Sequence, residues 1–357
     1  MKMIKPLRWG ILGTGWVAQR FMADLNCGHV GKLQAVASRT QSRAAEIGSR
    51  YSAVKAHGSY EALFRDPDID VVYVATEHHE HAEHCVAALE NRKHVLCEKP
   101  FATSLSDAIR IVELARMNGV FCMEAMWSRF LPAMLEAKRL VDAGHIGAAQ
   151  CLTANFGLPM TDTGDNRFFD AARGGGALLD RGVYGLSLAV WLFGRPSMVT
   201  GRATLNSKGS DMTCSAVLEF PGSRIAVIAA SLDVLLENGA TVSGDAGRIR
   251  LHEPFYRTQS ISTRSVNRIP ANLRSDLRAS SPRERLRRLA SMVEPYLPSD
   301  FLRARSQRFP IQGFGYSYEA AEVTRCVREG LMESPIMPLN DTLLVLDIIE
   351  RLRPQFV

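Results

Sequence analysis

Apolar and polar positions in the first third of the chain fall into blocks that predict strands and helices in turn. Residues 7–12 form a short apolar run ending at a glycine loop; 17–25 then have helical spacing and 33–38 read as a second strand. Helical spacing returns at 41–51 and again at 60–65, where Asp66-Pro67-Asp68 stops it. Val71-Val72-Tyr73-Val74-Ala75 is the unbroken apolar run of a buried strand. Residues 79–91 put Ala82, Cys85, Val86 and Leu89 on one helical face, and His94-Val95-Leu96-Cys97 reads as another strand. Residues 104–118 predict a helix with Ser104 or Ser106 as N-cap and Gly119 just past its end. This alternation predicts a parallel sheet wrapped on both faces.

After about Met123 the period changes. A helix is predicted at 133–143, ending at Gly144, followed by strands at 148–156, 197–206, 211–220 and 223–232, with Pro221-Gly222 the clearest turn. Residues 242–249 read as strand, turn, strand, and helical spacing resumes at 316–331 and 340–353. With few helices between them, the strands of this half predict a mostly antiparallel sheet.

The length, 357 residues, suits two domains, and 46% hydrophobic with 22% charged residues is the composition of a globular protein. No uninterrupted apolar stretch approaches the ~18 residues of a membrane span, so no membrane partner is expected. Lys2, Lys5 and Arg8 before Ile11-Leu12 imitate the start of an export signal, but Gly13, Gly15, Gln19 and Arg20 interrupt any apolar core. The seven cysteines are odd in number and scattered, without a Cys-x-x-Cys pair. This argues against a disulfide framework and for a cytoplasmic location. The net charge of +6 is local: 257–308 holds twelve arginines, no lysine and four acids. It therefore implies no nucleic-acid partner, and the basic helix expected at 282–292 is read as a solvated face.

Against this background the chemistry is concentrated in a few places. Gly13-Thr14-Gly15-Trp16-Val17-Ala18 follows the first strand and opens the first helix. Gly13 permits the tight turn, Gly15 a close backbone approach to pyrophosphate, and the helix N-terminus free N–H groups. The fold class is therefore α/β: an N-terminal Rossmann dinucleotide-binding domain over 1–123 and a C-terminal α+β domain over 124–357 with a large, mostly antiparallel open sheet. The last helix is able to pack back on the first domain.

The second strand ends in Ser38-Arg39-Thr40 with no acid, where an NAD site usually has one for the ribose hydroxyls. Arg39 can pair with a 2′-phosphate, so NADP is favoured and NAD kept as the alternative. Thr76 and His81 follow a strand end, where a parallel sheet holds its cofactor. His78, His79, His81 and His84 raise a metal reading, but nothing elsewhere supplies a third ligand and none is expected. Glu98-Lys99-Pro100 follows the strand 94–97, placing the Lys99 ammonium where it can polarise a carbonyl or stabilise an alkoxide. Beyond Gly174-Gly175-Gly176, Asp180 and Tyr184 are four apart and share a helix face. A neighbouring ammonium would lower the Tyr184 phenol from ~10 and let it exchange a proton.

These motifs in this order resemble the Gfo/Idh/MocA family of NAD(P)-dependent oxidoreductases. So do Glu124-Ala125-Met126-Trp127-Ser128-Arg129-Phe130, Gly315-Tyr316-Ser317-Tyr318-Glu319-Ala320-Ala321-Glu322-Val323 and Ser334-Pro335-Ile336-Met337-Pro338-Leu339. Tyrosine at 184 and the Trp-x-Arg-Phe stretch are most similar to the branch of dimeric dihydrodiol dehydrogenases and NADP-dependent D-xylose dehydrogenases. The resemblance implies that Lys99 and Tyr184 serve the reacting oxygen, that Asp180 orients substrate, and that Trp127, Arg129 and Phe156 shape its pocket. It implies cofactor contacts at Gly13, Thr14, Gly15, Trp16, Val17, Ser38, Arg39, Thr40, Thr76, His81, Glu98 and Lys99. It also implies a homodimer, or dimer of dimers, through the open sheet face. Two departures stand out: Glu77-His78 where the family commonly has Pro-Asn, and Arg181 where an apolar residue is usual. The expected activity is hydride transfer between NADP(H) and a sugar, polyol or cyclic diol. The alternatives are an NAD-dependent inositol or aldose dehydrogenase, or a dinucleotide-binding regulator without turnover.

Overall fold

The computed structural model describes residues 5–28, 30–164, 166–266 and 305–356. A six-stranded parallel sheet in the order β3-β2-β1-β4-β5-β6 comes first. Its strands are β1 (Arg8–Leu12), β2 (Lys32–Ala37), β3 (Lys55–His57), β4 (Val71–Val74), β5 (His94–Glu98) and β6 (Cys122–Ala125). Helices α1 (Trp16–Gly28), α2 (Gln41–Arg50), α3 (Tyr60–Phe64), α4 (His81–Glu90) and α5 (Leu105–Asn118) connect them. All four residues of β4 are buried, as a strand covered on both faces requires. Ser104 caps α5, accepting from Asp107 N, worth about 1 kcal/mol, and Gly119 takes the left-handed conformation after it. The boundary expected at 123/124 falls inside β6. The first sheet runs on to Ala125, because Cys122–Ala125 pair with Val95–Glu98.

The second sheet has eight strands in the order β14-β13-β12-β11-β7-β10-β9-β8. They are β7 (Ala149–Gly157), β8 (Met198–Leu205), β9 (Asp211–Phe220), β10 (Arg224–Ser231), β11 (Ala240–Gly244), β12 (Gly247–Leu251), β13 (Ser260–Ser265) and β14 (Arg305–Arg308). Only the β7–β10 pair is parallel. Helix α6 (Pro132–Asp142) enters this half, and α7 (Val183–Phe193) packs on one face of the sheet. The run Ala171–Phe193 is long and apolar enough for a membrane span, yet 83% of it is buried within the molecule, as a core helix is. The other face of the sheet carries exposed Val217, Ile225 and Val227.

The chain then returns to the first sheet. Helix α8 (Tyr316–Arg328) packs on α1, and α9 (Leu339–Leu352) packs on α5. Asp24 of α1 accepts from the N–H groups of Phe314, Gly315 and Tyr316, a carboxylate at the start of α8. Thr342 donates to buried Glu124, and Glu350 accepts from Leu105 N at the opening of α5. Two helices, not only the last, thus lie against the first domain. The basic helix expected at 282–292 lies outside the described residues.

Candidate active site

A cleft of about 700 Å³ opens at the carboxyl ends of the parallel strands and is closed on its far side by the second domain. Gly13 turns the chain out of β1 at φ +100°, and a Cβ there would meet Ala75 O at 2.5 Å, so only glycine fits. A Cβ on Gly15 would meet nothing within 4 Å: the backbone here borders open cleft. Thr14, Trp16 and Val17 line the same floor, where α1 begins. These residues fit a dinucleotide, with free N–H groups of α1 for the pyrophosphate. Ser38 and Arg39 line the adjoining end with Tyr60. Thr40, expected among the cofactor contacts, does not line the cleft; its hydroxyl caps α2 by accepting from Arg43 N at 3.4 Å.

The histidines after β4 divide their roles. Thr76, His78 and His81 line the cleft. His81 Nδ1 lies 2.8 Å from Pro100 O and Nε2 lies 3.2 Å from Thr76 O; with one N–H, the neutral ring donates to one of these carbonyls. Burial holds its imidazole down at about 4, so it is neutral. His84 Nδ1 lies 2.9 Å from the Thr76 hydroxyl.

Lys99 is the meeting point of the two domains. Its ammonium donates to Asp180 O at 2.8 Å and Asp180 Oδ1 at 2.9 Å, and lies 5.0 Å from the Tyr184 ring centre. Asp180 reaches it from a π-helical turn, Leu178–Gly182, rather than from regular α-helix. That turn is anchored by Asp211, which accepts from Leu178 N at 2.6 Å, and the Asp180 carbonyl on it accepts from Lys99. Gly176 precedes it at φ +111°, where a Cβ would run into Asp211. Burial alone would raise the Asp180 carboxyl, but Lys99, His78 and Arg167 outweigh it and hold the group at about 2.

Tyr184 differs from expectation. Burial pushes its phenol well above 10, and the Lys99 ammonium does not bring it down. Trp127 Nε1 donates to Tyr184 Oη at 3.0 Å, so the phenol keeps its own proton to give elsewhere. Glu98, buried, has its carboxyl pushed up to about 7 and accepts from Tyr73 and from Lys99 N.

Comparison with known proteins shows the family and the fold. Residues 7–126 match the model of the oxidoreductase family with an NAD-binding Rossmann fold, and 134–250 match the GFO/IDH/MocA C-terminal domain. The chain belongs to the Gfo/Idh/MocA family. The trans-1,2-dihydrobenzene-1,2-diol dehydrogenase of Bos taurus is 33% identical over 352 residues, 97% of this chain and 96% of the relative. The enzyme of that name from Homo sapiens is 32% identical over 351 residues, again 97% and 96%. Among solved structures, a 3-ketoreductase from Actinomadura kijaniata in complex with NADP and TDP-benzene superposes with a TM-score of 0.79 at 23% identity, covering 99% and 98% of the two chains. An aldose-aldose oxidoreductase from Caulobacter crescentus gives 0.80 at 23% identity over 98% and 97%. At these identities the structures speak for the fold.

In this Gfo/Idh/MocA member the first of the two departures noted in the sequence, Glu77-His78, bridges the cleft. Glu77 pairs with Arg173 at 2.8 Å, and His78 Nδ1 lies 3.0 Å from Gly174 O. Trp127, Phe156, Asp180 and Tyr184 all line the cleft, and Phe156 stacks on Tyr256 at 4.1 Å. Arg129 does not. It is 2% exposed and lies behind the pocket, bonded to Asp341 at 2.7 Å, Ile336 O, Ser187 O and Ser187 Oγ. The 3₁₀ turn Trp127–Phe130 sends Trp127 to the cleft and Arg129 into the core. Residues missed by the sequence are Arg167, Tyr256, Arg257, Phe314 and Tyr316, all lining the cleft from loops or helix starts with no motif to mark them. The Tyr316 stretch was singled out for its resemblance only; its ring stacks on Trp127 at 5.1 Å.

Proposed function

We propose that the protein transfers hydride between NADP(H) and the carbonyl or hydroxyl carbon of a carbohydrate, polyol or cyclic diol. The observation that carries this reading is the convergence of Lys99, Asp180 and the Trp127-supported Tyr184 phenol on one wall of the cleft. The nicotinamide, when bound, gives or receives the hydride. The chain's own part is to handle the oxygen. Tyr184, a neutral phenol, donates its proton to the carbonyl oxygen as negative charge develops there. The Lys99 ammonium, held by Asp180, stabilises the alkoxide, and the reverse steps serve oxidation. Arg39 at the rim, with no acid at the end of β2, supports NADP over NAD. A regulator without turnover needs none of this wall.

Family membership and the exposed Val217, Ile225 and Val227 support a homodimer through the open sheet face. The aromatic lining of Phe156, Tyr184 and Tyr256 suits a ring-shaped substrate. The test is a panel of sugars, polyols and diols, followed by the absorbance of reduced cofactor with NAD and NADP in parallel. No cofactor reduction or oxidation with any member would overturn the reading.

A further inference from the structure

The substrate side of the cleft carries more positive charge than hydride transfer uses. Arg181 is 4% exposed, with its guanidinium 5.4 Å from the Phe156 ring centre. Its Nη1 donates to the carbonyls of Leu158 and Ser231, next to the ends of β7 and β10, which fixes the group in place. Its Nε lies 3.8 Å from Asp180 Oδ2, beyond hydrogen-bond reach, and the other Asp180 oxygen is held by Lys99. Nη2 has no hydrogen-bond partner among the described residues, and Arg181 lines the cleft.

Arg257 lines the same cleft. Its Nη2 donates to Gly313 O at 3.2 Å, and its Nε is buried without a partner among the described residues. Tyr256 is within electrostatic reach of Arg181, Arg257, Lys99 and Asp180. The other acids of the cleft are committed: Glu77 to Arg173, Glu98 to Tyr73, and Glu80 to the backbone N–H of Glu77. Lys99 and Arg181 thus share the single carboxylate of Asp180, and Arg257 lines the same cleft with no carboxylate partner among the described residues, so positive charge exceeds negative charge here. Arg181 is withdrawn from water, where a charge is costly unless a partner neutralises it, and the carboxylate it has is divided with Lys99. Hydroxyl groups of a neutral sugar can accept from these donors but leave the charge uncompensated.

We infer that Arg181 and Arg257 bind an anionic substituent, a carboxylate or a phosphate monoester, on the carbohydrate whose reacting oxygen faces Lys99 and Tyr184. Arginine suits either anion through paired N–H donors. The inference deepens the proposed hydride transfer and rests on it for the identity of the reaction, though not for the binding.

The test measures kcat and KM for NADP-linked oxidation of D-glucose, D-glucuronate and D-glucose 6-phosphate, and of D-galactose and D-galacturonate. At least one anionic sugar is expected to exceed its neutral parent tenfold or more in kcat/KM. That ratio should fall at least tenfold in R181L and in R257Q, through KM rather than kcat. A carboxylate preference and a phosphate preference are separated by the glucuronate and glucose 6-phosphate arms. Neutral sugars used as well as their anionic counterparts, or an unchanged ratio in folded variants, would overturn the inference. Should R181L fail to fold, R257Q decides. If no sugar is turned over, calorimetry of glucuronate and glucose 6-phosphate with the NADP-loaded protein decides. Binding that weakens tenfold in R257Q supports the anion site while the reaction falls, and no binding overturns the site.

Discussion

Trp127 and Tyr184 meet at 3.0 Å, indole N–H to phenol oxygen, across the boundary between the end of the first sheet and the first turn of α7. The contact sets the direction of proton traffic. Indole nitrogen is a donor only, so the phenol oxygen accepts from it and the phenol hydrogen is directed elsewhere. Burial keeps that hydrogen in place far above neutral pH. The proposed role of Tyr184 as an acid toward a carbonyl oxygen follows from these two facts.

Tyr184→Phe should lower turnover by a factor on the order of 10²–10⁴ while leaving NADP affinity nearly unchanged. The check is steady-state kinetics with an active substrate and deuterated cofactor, alongside cofactor titration by fluorescence. Near-normal turnover with a full deuteride isotope effect would remove Tyr184 from proton transfer. Because the phenol is pushed up, the wild-type rate should show no loss attributable to Tyr184 ionisation below about pH 10.

The proposed preference for NADP rests on Arg39. Replacing it with aspartate should weaken NADP by about 1–3 kcal/mol and leave NAD far less affected. Dissociation constants for both cofactors, measured in wild type and variant, check this. Equal constants for the two cofactors in wild type would exclude the role.

His81 makes stability depend on pH with a definite sign. Its imidazole is held at about 4 in the fold against 6.5 in the free chain. Between these values the unfolded chain binds a proton that the folded one refuses. The stabilisation is complete above pH 6.5 and is lost as pH falls toward 4, by about 3 kcal/mol in all. Melting curves from pH 7.5 to 4 should show this loss, with a shallower slope in His81→Gln. Parallel slopes would show that other groups, such as His78, whose pKa burial also lowers, carry the whole effect.

Much of this architecture is legible in the chain. The glycine loop before α1, the unbroken apolar runs of β4 and β5, and the Ser104 and Gly119 caps are local signals, and local physics places them. What escapes is set by distant partners. β3 is three residues long, β14 is a short, polar edge strand, and β13 is a short, polar strand between β12 and β14, all revealed only by their neighbours. The π-helical turn at Asp180 depends on Asp211, 31 positions later in the chain. The raised Tyr184 phenol depends on burial that no spacing encodes. Two motif positions separated only by Ser128, Trp127 and Arg129, lie in different environments because the turn that holds them is 3₁₀.

The open face of the second sheet should hold two subunits together. Val227 lies in one cross-strand row with Val217 and Thr153, exposed in the single chain. Val227→Glu would place a charge at the centre of that face. Light scattering at micromolar concentration should give a dimer for wild type and a monomer for the variant. A wild-type monomer would contradict the assembly.

Arg129 offers the sharpest separation between a pocket role and a structural one. Its guanidinium is buried, and burial draws its pKa down even with Asp341 beside it. It closes four hydrogen bonds that join the Trp127–Phe130 turn to α7, to Ile336 and to α9. Arg129→Met would leave Asp341 and two carbonyls without their donor. Removing one partner of a buried pair typically costs about 3–5 kcal/mol, so the variant should melt well below wild type. KM for substrate should change little in whatever fraction remains folded, since the side chain does not line the cleft. Thermal denaturation paired with KM at a temperature where the variant is folded checks both halves. An unchanged melting temperature with a KM raised tenfold would return Arg129 to the substrate pocket.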